Sequence, residues 1–395
     1  MREGWELKTL EHVCKELFAG GDVPKDRNSK YITKEYTIPI FSNGAKNDGL
    51  YGYTDVPRVT EPSVTVSARG TIGYSSIRIK PYLPVVRLIV LVPNEELISL
   101  EFLKYVIETM DFGNSGSSIP QLTVPMIKKY KCSIPSLQEQ QQIVAILDNV
   151  FEAIDQAKAN IEKNIENAKE LFQSKLNDIF SQKGAGWEEK KLKEITTKIG
   201  SGATPRGGQA SYKESGVSLI RSMNVHDDGF RDRKLAFIDD EQASKLDNVT
   251  IEENDILLNI TGASVARCCV VDSKYLPARV NQHVSIIRLK ESVMNHQFLH
   301  YALTSKVTKD LLLGIGEQGA TRQAITKVQI ENFKIKYPTN IDLQNKLVGS
   351  LNIIKQESEK LESAYQSKIE SLEELKKSIL QKAFAGELTN KMVTI

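Results

Sequence analysis

The sequence predicts an α+β fold built from two copies of one unit, and three observations lead to this prediction. Segments recur in the same order in both copies: GWE at 4–6 returns at 186–188, and EFLKY at 101–105 returns as QFLHY at 297–301. Each copy contains short β-rich runs, separated by Gly, Asn, Asp and Pro, and few helical stretches. Each copy then ends in a long amphipathic segment, and the two segments close alike, as LFQSKLNDIF at 171–180 and LKKSILQKAF at 375–384.

The repeat divides the chain into four segments. The spacing between matched residues grows from 182 at GWE to 204 at the closing segments, so the second globular copy is longer, whereas the long segments keep one length. We therefore predict a globular domain at 1–136, a long helix at 137–183, a second globular domain at 184–338, and a second long helix with a tail at 339–395.

Local patterns predict the elements of each globular domain. Residues 97–109 and 294–313 are expected to form helices beside a curved mixed sheet, which places each domain in the α+β class. The β-rich runs are TIPIFSNGA, PSVTVSARGTIGYSSIRI and VVRLIVLVP in the first domain, and VSLIRSMNV, DILLNITGASVARCCVV and HVSIIRL in the second.

The two long segments carry a coiled-coil seam, in which apolar or small residues recur in steps of three and four. The seam residues are Ile143, Leu147, Val150, Ile154, Ala157, Ile161, Ile165, Ala168 and Phe172, and then Ile354, Ser358, Leu361, Tyr365, Ile369 and Leu372. Both seams contain the same irregular step, 204 residues apart. Each helix of about 44 residues would be roughly 65 Å long. We expect the helices to pack antiparallel, with one domain near each end and approximate two-fold symmetry.

Composition and charge narrow the class of protein. The net charge is only +2, from 52 basic and 50 acidic residues, so the chain has no basic tail that would bind nucleic acid without regard to sequence. The sequence contains no apolar run long enough to cross a membrane and no signal peptide, so we expect a cytoplasmic protein. The four cysteines lack metal-binding spacing, and we expect them to be reduced.

Motifs for catalysis are missing from the sequence. It contains no phosphate-binding GxxxxGK[ST] loop, no GxGxxG, no HExxH, no GxSxG and no [ND]PP[YF] segment of an adenine methyltransferase. His296 and His300 have a metal-compatible spacing, but a third ligand is not evident, so a surface or packed pair is expected. The GSGATP and AGGDVP segments indicate turns.

Several segments together resemble the specificity subunit of type I DNA restriction-modification systems, and the resemblance covers essentially the whole chain. These segments are the two WxxxxL openings, the GSGATP turn before SLIRSMNV, SARGTIGY, the SSIPQLT and TRQAIT segments, EQQQI at 139–143, and the closing SKLNDIF and SILQKAFAGEL. The chain departs from the pattern where EQQQI becomes LQNKL in the second copy and where the first copy has GGDVP in place of GSGATP.

The resemblance implies a DNA-recognition subunit without catalytic activity or a cofactor of its own. Its two target-recognition domains would each read one half of a bipartite target in double-stranded DNA, and its helices would set the spacer and bind two modification subunits. Those subunits would bring S-adenosylmethionine and methylate adenine N6. Restriction subunits would add translocation and nuclease activity with ATP and Mg. A coiled-coil scaffold and a stand-alone DNA-binding protein are the alternatives.

Base and phosphate contacts are expected from Arg, Lys, Asn and Gln side chains on turns, because these side chains match the groups that DNA presents. The candidates are Asn43, Lys46, Arg58, Arg69 and Gln121 in the first domain, and Arg206, Arg221, Asn224, Arg231, Arg267, Arg322 and Gln323 in the second.

Overall fold

The computed structural model describes residues 2–113, 121–181, 186–317 and 323–389. The chain divides into two compact units, one formed by Met1–Ile161 with Gln366–Ile395 and the other by Glu162–Tyr365. We call them the first and the second unit and describe each by itself. Each unit combines one globular domain with a segment of both long helices.

The first globular domain follows the predicted β-rich runs, whose Val, Ile and Tyr side chains pack well on a pleated surface. Its elements, with the long helix that follows, are β1 (Glu6–Thr9), α1 (Leu10–Val13), β2 (Cys14–Ala19), β3 (Ile38–Phe41), β4 (Leu50–Thr54), β5 (Ser63–Val66), β6 (Ser75–Arg78), β7 (Leu83–Pro84), β8 (Ile89–Pro93), α2 (Leu100–Glu108), α3 (Val124–Ile127), β9 (Lys131–Ile134) and α4 (Leu137–Ser181).

Two sheets lie at the centre of this domain. One is antiparallel with the strand order β2-β8-β5-β6, and the other has the order β4-β3-β7, in which β3 and β7 run parallel. Strands β5 and β8, with the sequences SVTV and IVLVP, are buried along their whole length, so their residues do not alternate between buried and exposed positions. Helix α2 packs on β5 and β6. Pairing of β1 with β9 brings the two ends of the domain together.

The second globular domain repeats this topology. Its elements, with the second long helix, are β10 (Trp187–Lys191), α5 (Leu192–Ile195), β11 (Thr196–Ser201), β12 (Val217–Ile220), β13 (Val225–His226), β14 (Gly229–Phe230), β15 (Ala236–Ile238), α6 (Asp240–Ser244), β16 (Ile256–Asn259), β17 (Cys268–Val270), β18 (Ala278–Val280), β19 (Val284–Leu289), α7 (His296–Thr304), α8 (Lys306–Glu317), α9 (Lys327–Asn332), β20 (Lys334–Pro338) and α10 (Ile341–Phe384). The sheet orders β11-β19-β16-β17 and β15-β12-β18 match those of the first domain, so the predicted duplicated α+β fold is confirmed.

The predicted helix at 294–313 is wrong in one respect, because the structure has two helices there. Helix α7 ends at Thr304, and the extended backbone of Ser305 separates it from α8. The buried Ser305 hydroxyl donates to Ala302 O at 2.7 Å and bonds Thr308 Oγ1 at 3.1 Å, so a local side-chain bond competes with the helix at this point. In the first domain, Ser99 caps α2, which therefore begins three residues later than predicted.

In each unit the two long helices lie against each other along the predicted seam. In the first unit Lys376 Nζ lies 3.0 Å from Asp155 Oδ1 and Lys158 pairs with Glu373, so the residue numbers run in opposite directions and the helices are antiparallel. In the second unit Ser358 Oγ donates to Ala168 O at 2.9 Å.

The seam is confirmed at every predicted position except Leu361, which is 47% exposed. Glu362 takes the inward place beside it, and its carboxylate lies 3.4 Å from Lys169 Nζ. An ion pair thus replaces an apolar contact just before the irregular step of the second seam.

A fully buried glutamine joins each long helix to the domain before it. Gln140 Nε2 donates to Leu97 O at 2.8 Å and Pro135 O at 3.0 Å, and its Oε1 accepts from Ser99 N at 2.9 Å. Gln344 makes the matching bonds to Val293 O at 3.1 Å and Pro338 O at 2.8 Å, and accepts from Asn295 N at 2.9 Å. Each side chain satisfies groups at the helix start that would otherwise be buried without partners.

The far ends of the long helices pack on the domain helices, which explains why their closing sequences are alike. Phe384 packs on Phe102 in the first unit, with the ring centroids 5.1 Å apart, and Phe180 packs on Phe298 in the second, also at 5.1 Å. Each unit therefore needs the start of one long helix and the end of the other.

The four cysteines, all in described parts of the chain, are free and buried. Burial raises the pKa of the Cys14 thiol to about 12. No helix of the described residues is both long and apolar enough to cross a membrane.

Candidate nucleic-acid interface

The turns at one edge of the first domain are joined by hydrogen bonds. This first loop cluster comprises residues 19–24, 42–49, 67–73, 84–88 and 121–122. Asn43 connects two of the turns, because its Oδ1 accepts from Ala68 N at 2.7 Å and its Nδ2 donates to Val86 O at 2.6 Å. Val86 N donates to Gly21 O at 2.8 Å, and Leu122 N donates to Ala68 O at 2.9 Å. The ends of β2, β3 and β5 and the start of β8 thus present their turns together.

The first loop cluster gathers the residues predicted to contact DNA in this domain. Arg69 donates to Gln121 Oε1 at 2.8 Å, and Lys46 is exposed without a partner among the described residues. Arg58 reaches the cluster by donating to Ala19 O at 3.3 Å. Both polar atoms of Asn43 bond the backbone, so Asn43 holds the turns in place.

Asp48 fixes the turn that carries Lys46. Its carboxylate accepts from Tyr74 Oη at 2.9 Å, from Ser76 Oγ at 2.6 Å and from the buried Arg78 guanidinium. Partial burial acts to raise the pKa of the Asp48 carboxyl, but these hydrogen bonds outweigh it and lower that pKa. Asp48 has a φ of +54°, a conformation that Asp tolerates better than most residues. The hydrogen bonds of the Asp48 carboxylate and the left-handed backbone at Asp48 therefore fix the turn from which Lys46 extends.

The second domain has an equivalent second loop cluster, which comprises residues 201–208, 221–224, 260–264, 281–283 and 323–324. Gly202 N donates to Asn281 O at 3.1 Å, and Asn281 N donates to Ile220 O at 3.1 Å. Gly262 N donates to Gln323 O at 2.9 Å. These bonds join turns that follow β11, β12 and β16, as in the first domain.

Glycine is required where two turns approach each other most closely. A Cβ on Gly202 would lie 1.7 Å from Val280 O, and a Cβ on Gly20 would lie 2.6 Å from Pro84 C. This close approach explains Gly202 of GSGATP and Gly20 of AGGDVP, and each of them lies in the irregular segment that follows a strand.

Exposed cations of the second domain lie in or near its loop cluster. Arg206 is exposed and Arg267 is half-buried, and neither side chain has a partner among the described residues. Gln323 is exposed beside Gly262. Arg231 pairs with Asp228 at 2.7 Å; partial burial acts to raise the pKa of this carboxyl, but the hydrogen bond and charge of Arg231 lower it. Arg322 lies outside the described residues.

Two of the side chains predicted to contact DNA in the second domain bond other parts of the same domain. Asn224 is fully buried, and its Nδ2 donates to Arg231 O at 2.8 Å while its Oδ1 accepts from Arg221 N at 3.2 Å. Its amide is therefore not available to a base edge, and it acts by holding the turn. The Arg221 guanidinium lies 5.3 Å from the Tyr212 ring centroid and donates to Lys234 O.

Sequence reasoning missed a turn that lies inside each cluster. In the first domain it contains the exposed Arg87, between β7 and β8, and in the second it contains Gln282 and His283, between β18 and β19. In the second domain the available signal was the polar run Asn281 to His283 between two apolar strands.

His296 and His300 do not share a metal-binding arrangement, and the described residues contain no group of three His, Cys, Asp or Glu that could hold a metal ion. The His300 side chain is half-buried, and its Nε2 lies 3.3 Å from Cys268 O. Burial lowers the pKa of His300 to about 4, against the opposite effect of that carbonyl.

Comparison with known proteins identifies the family. The family model of the type I restriction modification DNA specificity domain matches residues 2–167 and 184–371. The chain belongs to this specificity family. The two matched regions correspond to the two repeats, so the family domain occurs twice in this specificity protein.

Relatives and solved structures agree with this family. S.MpnORF507P of Mycoplasma pneumoniae, named as a type I specificity subunit, is 38% identical over 45% of this chain and 48% of its own. The matched part thus spans about half of that relative, and it spans 51% of S.MpnORF89P of the same organism. The MjaIX specificity subunit of Methanocaldococcus jannaschii is 24% identical over 97% of this chain and 93% of its own.

Two solved structures share the fold. A chain from a type I restriction-modification complex covers 98% of this chain and 99% of itself, with a TM-score of 0.76 and 19% identity. The HsdS subunit from Thermoanaerobacter tengcongensis covers 98% of both chains, with a TM-score of 0.58 and 19% identity.

Proposed function

We propose that each globular domain reads one half of a bipartite target in double-stranded DNA through its loop cluster, and that the long helices set the number of unread base pairs between the halves. The observation that carries this proposal is the pair of loop clusters on one repeated scaffold. Equivalent turns are held by equivalent backbone bonds, such as Val85 N to Phe41 O and Asn281 N to Ile220 O, yet their exposed side chains differ. Such a pair suits two half-sites of unlike sequence.

The chemistry in this proposal belongs to partner subunits. Two modification subunits would bring S-adenosylmethionine and methylate adenine N6 in each half-site, and restriction subunits would use ATP and Mg²⁺ for translocation and cleavage, all in the cytoplasm. Family membership and the lack of a methyltransferase motif in the sequence support a non-catalytic role.

Two exposed leucines support two equivalent sites for the modification subunits. Leu171 in the second unit is 56% exposed and Leu375 in the first is 47% exposed, and they occupy matching positions of the long helices, 204 residues apart. An exposed apolar residue that recurs at the same helix position fits a contact with two copies of one partner.

A domain exchange tests the proposal. Residues 187–335 would be replaced by the matching domain of a relative with a different target, and the variant would be expressed with the modification subunits. We expect one half-site to change, while the other half-site and the spacer stay the same, because the first loop cluster and both helices are untouched. The positions of methylated adenines in genomic DNA give the result.

Two further outcomes of the exchange would contradict the proposal. A change in both half-sites would contradict separate reading by the two domains, and a changed spacer would contradict the role of the helices. Methyl transfer by the purified chain alone, measured as a control, would contradict the non-catalytic role.

A further inference from the structure

Both loop clusters contain a turn at the same position of the repeated topology. In the first domain it joins β7 to β8, where Val85 N donates to Phe41 O at 2.9 Å. In the second it joins β18 to β19, where Asn281 N donates to Ile220 O at 3.1 Å. Because each turn is held between other turns of its cluster, its backbone has a fixed position relative to the edge that would face DNA.

The turn of the first domain has a backbone that does not suit its residues. Leu88 N donates to Val85 O at 3.0 Å, and the two residues between them, Val86 and Arg87, have φ values of +52° and +67°. Turns with positive φ at both central residues favour Asn-Gly, and a β-branched residue is strongly disfavoured there. Val86 is also 42% exposed, so burial does not compensate for this backbone. Strain of this kind at an exposed turn indicates a functional role.

Arg87 is the functional group that this turn presents. It is exposed, and its guanidinium makes no hydrogen bond or ion pair to another described residue. Asn43 Nδ2 bonds the carbonyl of Val86 at 2.6 Å, so the turn is tied to the rest of the first loop cluster. A free guanidinium in a fixed turn can donate two parallel hydrogen bonds, which matches the O6 and N7 acceptors of guanine.

The turn of the second domain presents a glutamine whose amide is oriented by its neighbours. Thr204 Oγ1 donates to Gln282 Oε1, and Gln282 Nε2 lies 3.1 Å from His283 Nε2. His283 Nδ1 lies 2.6 Å from Thr261 Oγ1. This chain of bonds assigns His283 a neutral ring, in which Nε2 accepts from the amide and Nδ1 donates to Thr261.

One donor and one acceptor of the Gln282 amide remain unused. Thr204 takes one lone pair of Oε1, and His283 takes one proton of Nε2, so one lone pair and one N–H are left side by side. Adenine offers the complement in the major groove, because N6–H donates and N7 accepts. Guanine offers two acceptors there, and one of them would face Oε1.

We propose that this turn is a base-reading element in both domains, with Arg87 contacting a guanine in one half-site and Gln282 contacting an adenine in the other. His283 and Thr204 are positioning residues, since they fix the Gln282 amide. The proposal rests on the proposed function, because it assigns bases within the half-sites that the two domains would read.

The test uses the full chain with its modification subunits and maps methylated sites. Arg87→Gly removes the guanidinium but keeps a residue that accepts positive φ, so the turn should still form. We expect one guanine position of the first domain's half-site to become degenerate, with roughly tenfold loss of discrimination there, while the other half-site is unchanged.

Gln282→Glu tests the second turn with a side chain of the same size. A carboxylate offers only acceptors, so it should lose the contact to adenine N7 and favour the N4 donor of cytosine at the same position. His283→Ala should weaken discrimination at that position only, because Gln282 remains but its amide is then held by Thr204 alone. Rescue by His283→Asn would confirm that orientation is the cause, since Asn can also accept from the amide.

Lys46→Ala is the matched control in the first cluster. Removal of a lysine that contacts phosphate should lower affinity for all sequences and reduce the salt dependence, without changing the bases read. If Arg87→Gly and Gln282→Glu leave both half-sites unchanged while the domain exchange still alters one, the turn proposal is wrong and the proposed function stands. If the domain exchange also has no effect, the proposed function itself is wrong.

Discussion

The two globular domains use the same contacts where they join the long helices and different contacts where their turns meet. Tyr105 Oη donates to Asp148 at 2.5 Å in the first domain, and the matching Tyr301 Oη donates to Asn352 at 2.5 Å in the second. The turns differ in sequence, length and hydrogen bonding. The acceptor on the helix can be a carboxylate or an amide, but the tyrosine and its position are kept.

This difference shows that the helix junctions have the same structural role in both repeats, whereas the loop clusters do not need the same contacts. The helix junction has one geometry to preserve, because both units are built from the start of one long helix and the end of the other. The loop clusters need only lie at the same edge of each domain, so different contacts can hold them. Asp48 holds one turn of the first cluster, whereas a series of hydrogen bonds between Thr204 and Thr261 holds side chains of the second. Equivalent substitutions at the two junctions should therefore change the stability of both units equally. Substitutions at positions where the repeats differ should change the stability of one unit only.

The largest expected effect is at the buried glutamines of the junction. Gln140→Leu and Gln344→Leu each remove three hydrogen bonds and leave two carbonyls and one N–H buried without a partner. Each should lower the free energy of unfolding of its unit by about 4 kcal/mol, given about 1–3 kcal/mol for each such group with partial relaxation.

The two tryptophans allow each unit to be followed separately. Trp5 lies in the first unit and Trp187 in the second, so Trp187→Phe and Trp5→Phe backgrounds report on Gln140→Leu and Gln344→Leu by fluorescence during denaturant unfolding. The exposed Gln141→Leu serves as control and should change stability by less than about 0.5 kcal/mol. A large effect at one glutamine and none at the other would show that the two junctions are not equivalent.

The sequence predicted the shared part of the molecule better than the part that differs. Repeated segments, alternating steps of three and four, and apolar strand runs gave the fold class and the seam because each depends on a periodic pattern. The break at Ser305 and the exposure of Leu361 depend on single side-chain bonds, which leave no periodic trace. Burial of Asn224 and the positive φ of Arg87 depend on how distant turns meet, and a list of polar turn residues does not contain that information.

A smaller effect on stability is expected when the pH is lowered, and it should occur in the second unit only. His300 has Lys104 as its counterpart in the first domain, where Lys104 Nζ pairs with Glu108 at 3.0 Å. Burial lowers the pKa of His300 to about 4, whereas an unfolded histidine titrates near pH 6.5. Between these two pH values the unfolded state binds more protons than the folded state. The contribution of His300 to the free energy of unfolding is therefore complete above pH 6.5 and is lost as the pH falls toward 4.

The second unit should lose about 3 kcal/mol between pH 6.5 and pH 4 from this residue, at about 1.4 kcal/mol per pH unit. Denaturant unfolding of the Trp5→Phe background at several pH values measures the loss. His300→Gln should remove this part of the pH dependence, and Lys104→Gln in the Trp187→Phe background should leave the pH dependence of the first unit unchanged. An identical pH profile for His300→Gln and its parent would show that His300 does not titrate as described.

The smallest effect on folding is expected at Leu171 and Leu375, although these residues should matter for assembly. Both are exposed in the chain alone, so Leu171→Gln and Leu375→Gln should change the free energy of unfolding by less than about 0.5 kcal/mol. If each leucine becomes buried against one modification subunit, its loss should weaken that site roughly tenfold or more, given about 1.5–3 kcal/mol for burial of a leucine side chain.

Titration calorimetry with the modification subunit distinguishes one site from two. The unchanged chain should bind two copies, each single variant should keep one site of full affinity, and the double variant should keep none. Glu170→Gln and Glu374→Gln, at the neighbouring exposed and equally matched positions, control for a general change of the helix surface and should retain both sites. Two sites of full affinity in the double leucine variant would place the contact elsewhere on the chain. Unequal losses of affinity in the two single variants would show that the modification subunits bind parts of the repeat that differ, and not the parts that both copies share.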